Sequence, residues 1–563
     1  MPNRLELTWV GKETRPRVEP RILLEDPAKS YHAKAKVTQD DFFDNRLVFG
    51  DNLLALRSLE QEFAGSIQCI YIDPPFNTQQ AFEHYEDTLE HSLWLTMMRD
   101  RLEVLRRLLS NTGSVWVHLD DSELHRARCI MDEVYGPQNF VGTIIWEKSD
   151  SPRMDVEYFS SRHDYILVYA RELADLHFNR LRVEGGVAAH YDKTDERGRR
   201  YYLKPLRAMG GQGDSRAARP NLYFALLAPD GSKIFPKRQD GSDGAWRWSP
   251  EKCEDEKERI DWIQGRTGWA PYFRIYADED ARRPPETIWT HEEVGSNRTS
   301  KAEVKKVLPG VTPFATPKPE ALLGRILEIA YQPGDWVLDS FAGSGTTGAV
   351  AHKMGRCWIM VELGDHCHTH IIPRLTKVIN GTDEGGITGS VYWKGGGGFR
   401  YYKLAPSLLS KDEFGNWVVN RQYNAAMLAE AVCKLEGFRY SPSSEVYWQQ
   451  GYSSEDSFIY VTTQTLLVEQ LRHLNEEVGP RRSLLICCGS FAAKNLSDFP
   501  QLTVKKIPKA VLHRCEWGHD DYSLEIRSMP AAPTSGTISK SADDRGTKGS
   551  RRRTVTLLSY GES

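Results

Sequence analysis

The chain has 563 residues, enough for two to four domains with well-filled cores. Its 40% hydrophobic and 27% charged residues are those of an ordinary globular protein, and no apolar run reaches the ~18 residues a membrane span needs. A formal net charge of −4 excludes a uniformly basic nucleic-acid coat, so any DNA contact must come from local basic patches.

Nine cysteines without regular spacing point to reduced thiols. The lack of an apolar leader predicts a cytoplasmic location. Residues 1–45 read as an N-terminal arm, with Arg15, Arg17 and Arg21 alternating with prolines and acids as in a solvated extension. From 46 to 175, short apolar runs alternate with amphipathic stretches. Arg46–Phe49 reads as a strand, followed by Gly50-Asp51-Asn52 and a helix from Leu53. Asp51 suits a helix N-cap and equally an acceptor for a ligand's amino group at a strand tip.

Cys69–Ile72 is the next strand, and Asp73-Pro74-Pro75 stops it. Each proline lacks an N–H and fixes φ, so the backbone cannot stay in a sheet. Asp73 is thereby held at a strand's carboxyl end on a stiff turn, with Phe76 beside it. Ligands of open α/β sheets bind at such ends. A helix is predicted over 92–109, with Leu95, Met98, Leu102, Leu105 and Leu109 on one face. Strand 114–119, a helix over about 122–135 and a hairpin-like pair at 140–146 and 164–170 follow. Parallel strands alternating with helices predict a doubly wound α/β sheet.

Residues 176–312 interrupt this pattern with arginines and aromatics, among them Arg199-Arg200-Tyr201-Tyr202 and Trp246-Arg247-Trp248. Basic groups interleaved with rings suit phosphates and stacked bases. Any single tryptophan there more readily serves a small β-rich core. No strand of the main sheet is identifiable in the insertion.

Over 313–380 the α/β pattern resumes. Trp336–Asp339 reads as a strand, Phe341-Ala342-Gly343-Ser344-Gly345 as a glycine-rich turn, and a helix then closes at Gly355. Cys357–Val361 is a further strand ending on Glu362, an acid placed to take ribose hydroxyls. Gly343-x-Gly345-x-x-Gly348 also satisfies the dinucleotide pattern, so NAD binding by an oxidoreductase stands as an alternative. No Gly-Lys-Ser/Thr follows, which disfavours a nucleoside triphosphate loop. His366-Cys367-His368-x-His370 has the look of metal ligands but lacks a second ligand pair; it reads as part of a surface helix, and no metal is expected.

Residues 381–398 read as a glycine-rich linker or flexible hairpin. A small α/β domain spans 399–528, with helices at about 422–436 and 464–475 and apolar runs at 458–462 and 483–488. Cys487 and Cys488 would face opposite sides of a strand. Residues 529–563 read as a flexible basic tail.

Asp73-Pro74-Pro75-Phe76, followed far downstream by Phe341-x-Gly343-x-Gly345 on a strand bearing Asp339, resembles the amino-methyltransferases of DNA. The order, catalytic motif first and cofactor motif last, is similar to the β-arranged members, whose sheet is circularly permuted. Thr316-Pro317-Lys318-Pro319-Glu320 and His91-Ser92-x-Trp94-Leu95 are similar to family segments as well. The resemblance covers about 45–175 and 313–380 and looks most like the modification subunit of type III restriction systems. It implies S-adenosylmethionine as cofactor, held by Asp339, Phe341, Gly343, Gly345, Glu362, Lys318, Pro319 and Asp51. It implies Asp73, Pro74, Pro75 and Phe76 as the catalytic set, and 176–312 as the target-recognition region. Implied partners are double-stranded DNA, a second copy of the chain and a helicase–nuclease subunit. Asp rather than Ser at position 73 biases the target to adenine N6, with cytosine N4 as the alternative. The non-enzymatic alternative, a DNA-binding subunit with a decayed site, is opposed by the intact motif residues. No Pro-Cys dipeptide occurs, which disfavours covalent cysteine chemistry on a pyrimidine carbon.

Overall fold

A computed structural model describes residues 6–75, 91–182, 191–208, 214–265, 268–277, 282–312, 314–330 (313 excluded) and 334–522. Phe76 and residues 523–563, including the expected tail, lie outside the described residues.

The central sheet runs, by residue range, 23–25, 398–404, 45–49, 357–362, 336–339, 67–72, 109–119, 163–170, 140–147 and 288–289, with 31–32 paired to 398–404. The strands from 398–404 across to 109–119 are mutually parallel, and 163–170 runs antiparallel to 109–119. This is the doubly wound, Rossmann-like order. Strand faces follow the two-residue period: Leu47, Tyr71, Val337 and Met360 join the core beneath helices Glu320–Ala330 and Ile372–Ile379, while Val48 and Val361 pack with Ala55 of helix Asn52–Phe63. Helices Asn52–Phe63, His91–Leu108 and Leu124–Tyr135 pack against one another in order.

Where the chain reverses direction across the sheet, two sequence-distant strands are neighbours. Val337 and Leu338 pair with Cys69 and Ile70. Chain on one side proceeds to 357–362, on the other to 109–119. The crevice at their carboxyl ends is the switch point of an open α/β sheet.

Four local expectations are overturned. The N-terminal arm is not a solvated extension: Val18, Glu19, Arg21 and Ile22 are buried, and Leu23–Glu25 pairs with Tyr402–Leu404. Glu19 accepts from Leu408 N (2.7 Å) and Ser407 Oγ (2.8 Å) and pairs with Arg21 of the same arm (3.3 Å), so its buried carboxylate is met by donors on both sides. The end of 381–398 is closely packed rather than a slack linker; Gly395, Gly396 and Gly397 all have positive φ, and a Cβ on Gly395 would meet the backbone of Gly381 and Ile379 at 2.8 Å. Gly398–Leu404 then enters the central sheet beside Asn45–Phe49 instead of opening a separate domain. Finally, the insertion does supply a strand, because Ile288–Trp289 pairs in parallel with Ile145–Trp146.

Elsewhere the insertion holds a four-stranded antiparallel sheet with its own small core of Leu206, Trp246, Trp248 and Phe273, two short two-stranded ribbons, and helices His291–Val294 and Asn297–Val307. Trp246 and Trp248 are thus structural. The later residues build a five-stranded sheet with helices Ala425–Glu436 and Val468–Val478. Cys487 and Cys488 fall into the cores on its two faces. No helix among the described residues is long and apolar enough to cross a membrane.

Candidate active site

Tyr71, Asp73, Pro74, Pro75, Phe314, Lys318, Asp339, Phe341, Gly343 and Thr347 line one cleft at the switch point. Two stretches 266 residues apart, Asp73 and Asp339, therefore share a site. The Pro74-Pro75 turn is fixed from behind: the buried Trp94 donates its indole N–H to the Pro75 carbonyl (2.7 Å). Asp73 Oδ2 is ion-paired with Lys318. Its other oxygen, Oδ1, is buried with no hydrogen-bond partner among the described residues. A buried acceptor left without a donor is costly, so this oxygen is prepared for a donor that arrives with a ligand.

The glycine turn is held by two acids. Asp339 accepts from Phe341 N (2.9 Å) and from Thr347 Oγ1. Glu362 accepts from Gly343 N (2.7 Å), Leu363 N and Gly364 N (both 2.9 Å). These three donors use most of its roughly four lone-pair positions, so Glu362 clamps the turn and keeps limited capacity for a ligand. Gly343 (φ 53°) and Gly345 (φ 75°) both need the left-handed region. A Cβ on Gly343 would stand 3.3 Å from the Phe314 ring that also lines the cleft.

Gly345, Pro319, Glu362 and Asp51 are not in the cleft wall. Gly345 caps helix Thr346–Lys353, and Pro319 packs on Gly295 behind Lys318. Asp51 is the N-cap of helix Asn52–Phe63, accepting from Leu54 N (3.0 Å). Its second oxygen accepts from Tyr522 N (3.1 Å) and pairs with the buried Arg101. The expected acceptor for a ligand's amino group is therefore engaged by the chain itself.

Beneath Asp73 runs a polar chain that sequence reasoning missed. Tyr71 Oη lies 3.0 Å from His118 Nδ1, His118 Nε2 lies 3.3 Å from Asp164, and Lys148 Nζ donates to Asp164 (2.6 Å). Burial and then the charge of Lys318 push His118 below its ordinary value, so the ring is neutral at pH 7. Burial opposes the charge on Asp164, but the His118 hydrogen bond and the charges of Lys148 and Lys318 outweigh it and hold the carboxyl down to about 2. Asp164 only accepts, so Nε2 carries the proton and Tyr71 donates to Nδ1. The tyrosine oxygen is thereby oriented in the cleft wall. The only sequence sign was a histidine inside the apolar strand Leu109–Leu119 and an aspartate inside His163–Ala170.

The histidines at 366, 368 and 370 are not on a surface helix. His370 is buried in the π-helical turn Cys367–Ile371 and His366 just before it, and the rings of 366, 368 and 370 face Glu362 (3.1 Å), Tyr401 (2.8 Å) and the Thr312 carbonyl (2.8 Å) in turn. Three separate partners explain their pattern without a shared ligand.

Burial, with the charges of Asp73 and Glu362, pushes Asp339 up to about 7, against the Thr347 and Phe341 hydrogen bonds. The folded state then keeps a proton that the unfolded carboxyl loses near 3.8. Stability from this group is full below that value and falls as pH rises towards about 7. Burial and the charge of Glu320 push Glu303 up to about 7 with the same sign. Urea titrations from pH 5 to 8 should show a shallower pH slope in Asp339→Asn than in the wild type, with part of the slope left to Glu303. Equal slopes would remove Asp339 as a proton-binding group.

A family model described as DNA methylase matches residues 67–372, more than half of the chain. The chain belongs to this family. The match opens on the strand Ile67–Ile72 and closes at helix Ile372–Ile379, so it takes in both Asp73 and the glycine turn. The chain is 28% identical over 414 residues to the probable type III restriction-modification enzyme HindVI Mod subunit of Haemophilus influenzae, covering 64% of this chain and 54% of that one. It is 29% identical over 430 residues to the type III EcoPI Mod subunit of Escherichia phage P1, covering 67% and 64%. It is 24% identical over 605 aligned positions to the type III EcoP15I Mod subunit of Escherichia coli, covering 90% and 89%. The chain thus spans about half the length of the first relative and under two-thirds of the second. Membership in the DNA methylases leaves no support for the oxidoreductase reading of the glycine turn.

Proposed function

We propose that this chain transfers a methyl group from S-adenosylmethionine to adenine N6 within a specific sequence of duplex DNA, as the modification subunit of a restriction–modification system. The observation that carries the reading is Asp73 Oδ1, a buried acceptor without a donor in the cleft that also holds the glycine turn.

The residues fit the cofactor. Gly343 offers a backbone without a Cβ at the cleft wall, and Asp339 and Glu362 stiffen the turn around it. When bound, S-adenosylmethionine supplies an electrophilic methyl group on a sulfonium. An exocyclic amine is a weak nucleophile because its lone pair is delocalised into the base. Asp73 and the Pro74 carbonyl accept its two N–H bonds, which draws the nitrogen towards tetrahedral geometry and frees the lone pair. Trp94 and Pro75 keep both acceptors in place, and such positioning is a large part of the rate. A base in a duplex is out of reach, so it is drawn out of the stack into the cleft. Phe76 is assigned to stack on it.

The antiparallel sheet of the insertion is the proposed reader of sequence. Arginines of the insertion are already set against rings: Arg199, beside that sheet, lies 4.1 Å from the centre of Tyr276, and Arg216, outside it, 4.3 Å from that of Tyr223. The five-stranded domain is assigned to assembly, as a homodimer or with a helicase–nuclease subunit. The site of action is the cytoplasm.

Tritium transfer from labelled S-adenosylmethionine to DNA, with nucleoside analysis of the product, tests the reading. Label in N6-methyladenine is the expected result; label in N4-methylcytosine would move the target, and none would overturn the assignment. Gly343→Val should weaken cofactor binding by about tenfold or more, since the left-handed backbone is strained and the new side chain meets Phe314. Unchanged affinity by calorimetry, in a folded variant, would take the cofactor away from this turn.

A further inference from the structure

The hairpin between strands Phe140–Glu147 and His163–Ala170 has an unusual tip. Its stem is ordered: Ser149 N donates to the Arg162 carbonyl (3.4 Å), Arg162 Nε to the Ser149 carbonyl (3.1 Å), and Arg153 N to Ser160 Oγ (2.6 Å). Between these closures Met154 is 92% exposed, Tyr158 83% and Phe159 94%. Burying each such side chain is ordinarily worth roughly 1.5–3 kcal/mol, and the fold forgoes that here. Single exposed apolar residues need no explanation, but three on one braced tip do.

The position of the tip says what it meets. Glu147 pairs with His163, Leu119 with Tyr165, and Ile72 with Val117. The hairpin therefore leaves the sheet at the edge where Asp73 leaves its strand. Its base is two strands across, on the order of 10 Å at ordinary strand spacing. Lys148 and Asp164 at that base belong to the polar chain that ends at Tyr71 in the cleft wall. The loop 148–162 has equal numbers of cations (Lys148, Arg153, Arg162) and acids (Asp150, Asp155, Glu157). It offers a polyanion no net attraction; what it offers is ring surface.

We propose that Phe159, with Tyr158 beside it, is a wedge that enters the DNA stack and fills the space left by the base drawn out to Asp73. Apolar side chains between base steps are an established way to hold a distorted duplex. The inference rests on the reading that the substrate is a base removed from duplex DNA.

The test uses the full chain and an oligonucleotide carrying the methylated site, as mapped by long-read sequencing of DNA modified by the wild type. Phe159→Ala and Tyr158→Ala should melt like the wild type, because neither ring packs on the protein. On matched duplex, Phe159→Ala should turn over about tenfold more slowly or worse. The brightening of 2-aminopurine at the target position should fall in parallel. Placing the target opposite an abasic site removes the pairing that the wedge must replace, and should restore most of the lost rate. Equal losses on both substrates would overturn the wedge, and so would no loss on either. A changed sedimentation coefficient with unchanged turnover would give the tip to a second copy of the chain, also overturning it. If the wild type itself transfers no methyl group to DNA, the functional reading fails instead, and the two failures are distinguishable.

Discussion

Asp73→Ala is expected to lower methyl transfer by about a hundredfold or more while leaving cofactor affinity within a few-fold of the wild type. Asp73 lies at the end of the strand Ile67–Ile72, beside the strand Trp336–Asp339 that feeds the glycine turn, and makes none of the turn's hydrogen bonds. Its removal takes away the acceptor without a donor, Oδ1, and the carboxylate paired with Lys318. Tritium transfer under saturating cofactor measures the first effect, and calorimetry the second. Turnover above a few per cent of wild type in the purified variant would show that the amine is held elsewhere. A loss of cofactor affinity equal to the loss of rate would move Asp73 into the cofactor site.

Lys353→Met should produce the largest loss of stability, about 3–5 kcal/mol. Lys353 is fully buried and pairs with Glu320 (2.7 Å) and Asp383 (2.6 Å). Arg374, also buried, pairs with Glu320 (2.9 Å) and donates to Thr346 Oγ1 (2.9 Å) and the Ser344 carbonyl (3.3 Å). Four buried charges thereby join helices Glu320–Ala330, Thr346–Lys353 and Ile372–Ile379 behind the glycine turn. Removing the ammonium leaves Glu320 with Arg374 as its cation and strips the buried Asp383 of the cation it pairs with. Denaturant titration should show the loss, and cofactor affinity should fall with it, because Arg374 supports Ser344 and Thr346. A shift under about 1 kcal/mol would mean that the remaining groups relax into water.

By itself the sequence determined the local chemistry of both halves of the site. Two prolines after an apolar run fixed where the strand Ile67–Ile72 ends, and so where Asp73 sits. Glycines at 343 and 345 marked the two left-handed positions of the turn, as their φ values require. Amphipathic periodicity placed helix His91–Leu108 to within a residue at each end, and both helices and two of the five strands of the later sheet to within a few, while the strands at 439–440, 451–454 and 502–506 went unread. These features depend on near neighbours, through steric limits on φ and through burial of one face of an element.

Only the tertiary structure decided which elements meet. An apolar run announces a buried strand but does not name its neighbour, and Leu338 beside Ile70 is a pairing across more than 250 residues. For the same reason the arm could not be read as part of the core, Gly398–Leu404 as a strand of the central sheet, or Ile288–Trp289 as its edge. Side-chain roles followed the same rule. Asp51 was legible as a cap, but the Tyr522 amide on its second oxygen comes from 471 residues away. Tyr71, His118 and Asp164 are ordinary strand residues until three strands bring them into one hydrogen-bonded line. The sequence carries the shape of each element; contact between distant faces, fixed by which apolar surfaces close on one another, makes the cleft.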